Sequence, residues 1–135
     1  MKYFLDANVL MHFVNDDRKM TKILKHIERV GIENIFISTI TLYELHAKLI
    51  KAKVSPANVK ALSAAIGIFA VKNFNSGAAI AAAKVRVELE GAGRSSGHPD
   101  QMLAGHAKFE KAVLVTNNTK DYTGVHGLKI VDWTE

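Results

Sequence analysis

The sequence predicts a single α/β domain with a mostly parallel central sheet of four to five strands and helices on both faces. Three observations predict it. Short, nearly all-apolar strand patterns alternate with longer helical patterns, and no internal repeat or linker interrupts the alternation. A length of 135 residues suffices for one hydrophobic core but not for two.

Lys2-Tyr3-Phe4-Leu5 reads as a first strand, apolar enough to be buried on both sides. Asn8 is a candidate cap for a helix over residues 9–14. Asn15-Asp16-Asp17 marks a turn and the cap of a second helix, in which Met20, Ile23, Leu24, Ile27 and Val30 recur at helical steps until Gly31. Ile35-Phe36-Ile37 is a β-branched and aromatic second strand. Thr39 or Thr41 then caps a long helix running to about Lys53, and Ser55-Pro56 opens another, with proline in its first turn. Ile68-Phe69-Ala70-Val71 reads as the third strand. The loop from Asn73 to Gly77 caps an alanine-rich helix over residues 78–90. Gly91 to Pro99 is Gly- and Ser-rich, too short to join domains, and placed to rim a site. A helix from Asp100 to about Lys111, the strand Ala112–Val115 and a last strand over 129–131 complete the order β-α-α-β-α-α-β-α-α-β-β.

Composition narrows the class. Apolar residues make up 48% and charged residues 23%, the balance of an ordinary globule. No apolar run approaches the roughly 18 residues of a membrane span, and Asp6 interrupts the N-terminal run too early for a secretory segment. The absence of cysteine excludes disulfides and thiolate metal sites and suits a reducing cytoplasm. Lys and Arg total 18 against 13 Asp and Glu, a formal charge of +5. A basic surface suits a partner rich in phosphate, although charge alone does not separate that from a solvated basic surface.

The chemistry concentrates where strand patterns end. Asp6 closes the first strand, and parallel α/β sheets place their sites beyond the carboxyl ends of strands. Glu44 follows the second strand by about two helical turns, Asp100 opens a helix, and Thr116-Asn117-Asn118 follows the strand Ala112–Val115. Each residue also has a plain structural reading: Asp6 and Asp100 as helix caps, Glu44 as the i,i+4 partner of Lys48. Three acids and an amide meeting at one sheet edge, however, call for a cation to neutralise them. Oxygen ligands of this kind suit Mg²⁺ or Mn²⁺.

The segments Phe4-Leu5-Asp6-Ala7-Asn8-Val9-Leu10, Ser38-Thr39-Ile40-Thr41-Leu42-Tyr43-Glu44-Leu45, Asp100-Gln101-Met102-Leu103-Ala104-Gly105-His106-Ala107 and Leu114-Val115-Thr116-Asn117-Asn118 occur in this order, and Gly127 to Trp133 closes the chain. Together they resemble the successive motifs of PIN-domain ribonucleases, particularly the VapC-type toxins. The resemblance spans nearly the whole chain and makes residues 1–135 one PIN-like nuclease domain. It implies Mg²⁺ or Mn²⁺ held by Asp6, Glu44 and Asp100. Asn118 takes the place of a fourth acid, and Thr116 orients a ligand or water. It further implies endoribonuclease activity leaving a 5′-phosphate and a 3′-hydroxyl, and a toxin's place in a type II toxin–antitoxin pair. The expected associations are a homodimer, a cognate antitoxin whose arginine enters the acidic groove, and DNA bound only through that antitoxin. One departure is Gln101 to Gly105, where the family more often has isoleucine and paired alanines; it touches helix packing and leaves the carboxylate in place.

Lys48, Arg86 and Arg94 are candidates for phosphate contact, each more readily read as a plain surface charge. Asp121 is a peripheral candidate, His106 is expected to pack or hydrogen-bond, and Trp133 to join the core. Two other readings stand beside the nuclease. A non-catalytic nucleic-acid- or protein-binding module could use the same fold, but retention of all three acids weighs against it. A doubly wound phosphatase would use Asp6 as nucleophile with a second Asp two residues on, where this chain has Asn8.

Overall fold

The computed structural model describes residues 1–15, 18–94 and 97–135. Five strands form one sheet: β1 (Lys2–Leu5), β2 (Ile35–Ser38), β3 (Ala70–Lys72), β4 (Ala112–Val115) and β5 (Ile130–Val131), in the order β3-β2-β1-β4-β5. Every pairing is parallel, with Phe4 opposite Phe36 on one side and Leu114 on the other. The order reverses at β1: the chain moves outward through β2 to β3, then returns to place β4 on the other flank. Such a switch leaves a crevice beyond the carboxyl ends of the two diverging strands, β1 and β4.

The connecting helices are α1 (Ala7–Asn15), α2 (Arg18–Val30), α3 (Thr39–Lys51), α4 (Pro56–Ile66), α5 (Ser76–Gly91) and α6 (His98–Phe109). Short 3-10 turns occupy Ile32–Asn34 and Thr119–Asp121. Strand side chains alternate between two cores. Leu5, Ile35, Ile37 and Val115 pack with Val9, Leu10, Ile23, Leu45, Leu49 and Leu62 from α1 to α4. Phe4 and Leu114 turn the other way, onto Val85 and Leu89 of α5 and Leu103 and Ala107 of α6. This two-sided burial is why the strands read as continuous apolar runs.

The predicted order of elements holds, and the differences lie at their ends. Asn8 does not cap α1. The helix begins at Ala7, and Asp6 caps it by accepting the Val9 N–H at 2.9 Å. Ser38, not Thr39 or Thr41, caps α3 through the Ile40 N–H. The third strand is confined to Ala70–Lys72, because Ile68 is exposed while Phe69 turns into the core ahead of it. Asp100 is not a cap either: α6 starts at His98, with Gly97 as its cap residue and proline in its first turn. The expected turn at Asp16-Asp17 lies outside the described residues, as do Ser95 and Ser96 of the Gly91–Pro99 stretch. Trp133 is core as expected, set against Tyr3 and stacked on His26.

The packing of α5 on α6 depends on Gly105. A Cβ there would lie 2.3 Å from Cα and 2.4 Å from N of Ala82, so only glycine permits this approach of the two backbones. The departure at Gln101–Gly105 therefore has a packing cause. Glycine admits the backbone of α5, while Gln101 is itself buried.

Candidate functional site

A cleft of about 200 Å³ opens where β1 and β4 diverge, lined by Asp6, Glu44, Lys48, Asp100, Asn118, Asp121 and Tyr122 among others. Segments more than a hundred positions apart thus contribute oxygen atoms to one hollow. Each is held there by local chemistry.

Asp6 is the floor. It follows the last residue of β1 and is 4% exposed. One carboxylate oxygen caps α1, and the other accepts the hydroxyl proton of buried Thr116. Burial, opposed by those hydrogen bonds and aided by the negative charge of Asp100, pushes its pKa up to about 6. Thr116 acts on the protein itself: its oxygen also accepts the Asn118 N–H at 3.0 Å, fixing the turn that brings Asn118 to the cleft.

Glu44 owes its place to hydroxyls at the β2–α3 junction. Thr41 donates to the Leu5 carbonyl at 3.1 Å, tying α3 to the end of β1 one turn before Glu44. Ser38 lies 2.8 Å from Nδ1 of His106, joining α3 to α6 in the core. Thr39 accepts the Phe74 N–H at 3.0 Å, tying down the loop that follows β3. His106 is fully buried between the rings of Phe4 and Phe74, packing and hydrogen-bonding as its sequence setting indicates. Burial holds its pKa below the usual imidazole value.

Asp100 sits in the first turn of α6, where the helix dipole favours negative charge. Its Oδ1 accepts the Tyr122 hydroxyl at 3.1 Å. Its pKa is nevertheless raised, first by burial and then by the charges of Asp121 and Glu44; the Tyr122 hydroxyl and Lys48 oppose the rise. Tyr122 is itself held protonated by burial and by the surrounding carboxylates, so it can only donate to them. Tyr122 and Asp121 are the residues of the cleft that sequence reasoning undervalued. The signal available was their place three and four residues beyond Asn118, in the turn after β4.

Of the three basic candidates, Lys48 lines the cleft, one turn along α3 from Glu44. Arg86 faces elsewhere and pairs with Glu90 at 2.9 Å along α5. Arg94 is engaged in bracing: its guanidinium donates to the Lys120 carbonyl at 2.9 Å and lies near Thr123 and Gly124, in the turn that carries Asp121 and Tyr122.

Comparison with known proteins gives the family. A profile described as "PIN domain" matches residues 3–123. The chain belongs to the PIN-domain family. Among curated relatives, the tRNA(fMet)-specific endonuclease VapC of Shigella flexneri is 29% identical over 136 residues, covering 99% of each chain. Ribonuclease VapC2 of Rickettsia felis is 30% identical, covering 98% of each. Among solved structures, VapBC2 from Rickettsia felis, bound to a DNA fragment from its promoter, superposes with a TM-score of 0.86 at 28% identity, over 98% of this chain and 99% of that one. VapBC-1 from nontypeable Haemophilus influenzae gives 0.85 at 25% identity over the whole of both chains. The single α/β PIN fold with five parallel strands is therefore shared with VapC proteins of toxin–antitoxin complexes.

The donor set fits a hard divalent cation. Asp6, Glu44, Asp100 and Asp121 are all oxygen donors, and among the described residues none of them forms an ion pair. A buried carboxylate with repelling neighbours and no paired cation is a site short of positive charge. Among the described residues no three acidic or imidazole side chains are grouped as a ready-made ligand set. An ion such as Mg²⁺, which keeps several waters and takes only one or two carboxylates directly, asks less of its ligands than one needing a closed cage.

Proposed function

We propose that this chain is a Mg²⁺- or Mn²⁺-dependent endoribonuclease, the toxin of a type II toxin–antitoxin pair acting in the cytoplasm. One observation carries the reading: Asp6, Glu44 and Asp100 line a single cleft at the sheet's switch point, with Asn118 beside them and no ion pair to neutralise them among the described residues. The names of the relatives support it, since they are an endonuclease and a ribonuclease over nearly the whole of their chains.

In this reading Asp6, Asp100 and Glu44 would hold the ion, directly or through its waters, with Asp121 and Asn118 lining the same cleft. Such an ion, when bound, supplies positive charge against the phosphodiester and lowers the pKa of the water it binds. The chain's own groups do the rest. Thr116 and the Val9 N–H fix both oxygens of Asp6, so its charge points at one place. Lys48 offers a cation to a phosphate entering the cleft. An unprotonated carboxylate at the cleft takes the proton that an attacking water loses. An open hollow of this size admits an unstacked strand more readily than a duplex, which favours single-stranded or looped RNA.

No helix among the described residues is long and apolar enough to cross a membrane. The solved relatives are toxin–antitoxin complexes, one of them on promoter DNA, and this chain is accordingly proposed to meet a cognate antitoxin and to reach DNA through it; a homodimer is proposed from the family resemblance alone. An arginine of that antitoxin entering the cleft would satisfy the unpaired acids in place of the ion.

The test is incubation of the purified chain with a mixed RNA pool in Mg²⁺, in Mn²⁺ and after chelation. Cleavage with either ion and none after chelation is expected. Cleavage that persists undiminished in chelator would remove metal from the mechanism.

A further inference from the structure

Tyr122 is the one aromatic hydroxyl lining the acidic cleft among the described residues. Its ring is 3% exposed and packs in the core with Val85, Leu103 and Leu114, while its hydroxyl emerges among the acids and donates to Oδ1 of Asp100 at 3.1 Å. The ring alone would satisfy the core, as phenylalanine would. The hydroxyl adds nothing to apolar packing and would cost free energy if it were buried without a partner. Its partner is the side chain that the proposed function makes a metal ligand.

We infer that Tyr122 is a positioning residue for the metal site, its hydroxyl holding the Asp100 carboxylate in the orientation that a divalent cation requires. This rests on the nuclease reading and adds a residue to it. A carboxylate in the first turn of a helix can swing about its side-chain torsions, and repulsion from Asp6, Glu44 and Asp121 drives it away from the cleft. A donor fixed by a buried ring resists that swing without adding a charge. Tyr122 can do so because its own turn is fixed. Its N–H donates to the Thr119 carbonyl at 3.2 Å, its carbonyl accepts the Val125 N–H, and Arg94 braces the same turn through the Lys120 carbonyl. The path runs from α5 through Arg94 to the turn, and from the turn through one hydroxyl to Asp100 on α6.

The variant is Tyr122→Phe, which keeps the ring. Three readings are made on the full chain: direct Mn²⁺ titration followed by electron paramagnetic resonance of the free ion, thermal melting without metal, and RNA cleavage across a range of Mn²⁺ concentration. Outer-shell partners of metal ligands typically contribute about 10–100-fold in affinity. The expected result is Mn²⁺ binding at least about tenfold weaker, cleavage restored toward the parent rate by excess Mn²⁺, and little change in metal-free melting. Unchanged Mn²⁺ affinity would overturn the inference, whether or not melting falls, because the hydroxyl would then serve stability alone. Lost cleavage that excess metal does not restore would also overturn it, since the hydroxyl would then act on the substrate. If the parent chain itself neither binds Mn²⁺ nor cuts RNA, the nuclease reading fails instead, and the two failures are distinct.

Discussion

Thr116 and Asp6 are joined at the floor of the cleft by a hydrogen bond from hydroxyl to carboxylate across 110 positions of sequence. The same oxygen of Thr116 accepts the Asn118 N–H, so one buried hydroxyl fixes an acid on β1 and the turn after β4 together. Thr116→Val keeps the shape and removes both functions. It leaves the Asn118 N–H without its acceptor and one oxygen of Asp6 without its donor, at a cost of about 1–3 kcal/mol in stability. Metal-dependent cleavage is expected to fall by roughly 10–100-fold, while Thr116→Ser retains most of it. Steady-state cleavage of one RNA by the three proteins checks this; equal rates for Val and Thr would exclude the linkage.

Metal-free stability carries the signature of Asp6. Its folded pKa of about 6 lies above the ordinary aspartate value of 3.8, so the folded state binds its proton more tightly than the unfolded chain does. The stability of the metal-free protein therefore falls as pH rises from about 4 to about 6 and stays lower above that. The shift corresponds to about 3 kcal/mol at most. Asp100 shifts in the same direction and adds to the trend. Asp6→Asn keeps a capping oxygen and removes the charge, so the metal-free variant is expected to be more stable than the parent at pH 7.5 and to lose that advantage near pH 4. Chemical denaturation at the two pH values measures it. A variant less stable than the parent at pH 7.5 would contradict the assignment of Asp6 as an uncompensated charge.

Gly105 tests the fold independently of the site. Its replacement by alanine pushes a methyl group into the backbone of α5 at Ala82, which cannot give way without parting the two helices. Overpacking of this kind costs about 1–3 kcal/mol, occasionally more. Gly91 has open space around the same position, so Gly91→Ala is the control. Melting temperatures should fall for the first and hold for the second.

The basic residues divide by position. Lys48→Ala is expected to raise KM for RNA several-fold with kcat less affected, because the side chain lines the cleft. Arg86→Ala should leave KM within about twofold, since an exposed i,i+4 pair with Glu90 is worth only about 0.3–0.5 kcal/mol. Arg94→Ala should act on stability and on metal affinity through the turn at Lys120–Tyr122. Equal effects of Lys48→Ala and Arg86→Ala on KM would mean that RNA follows another path across the surface.

The fold was legible because burial on both sides of the sheet leaves an unusually plain pattern. Phe4 and Leu5 face opposite cores, so the strand reads as one apolar run, and Asp6 marks where it ends. That Asp6, Glu44 and Asp100 meet in one cleft was legible for the same reason: strand-to-helix junctions are visible in sequence, and carboxyl ends of parallel strands share an edge. What sequence could not supply was the partner of each group. The spacing around Asp100 suits a cap as well as a ligand, and the start of α6 at His98, with Gly97 as its cap residue, removes the cap reading. Thr116 read as a residue that orients a ligand or water, and nothing local says that its hydroxyl reaches across the sheet to Asp6. Arg94 read as a phosphate contact or a plain surface cation, since its carbonyl partner at Lys120 lies 26 positions away. Helix ends slipped by one to three residues where several hydroxyls competed for one cap, as at Ser38, Thr39 and Thr41.

The account centres on the three carboxylates of Asp6, Glu44 and Asp100 serving one divalent ion in RNA cleavage. Cleavage of the same RNA in Mn²⁺ by the parent, Asp6→Asn and Asp100→Asn, each shown by circular dichroism to be folded, tests that most directly. The account predicts that the parent cuts and that both amides lose cleavage by at least about two orders of magnitude. Folded amide variants that cut at the parent's rate would contradict it.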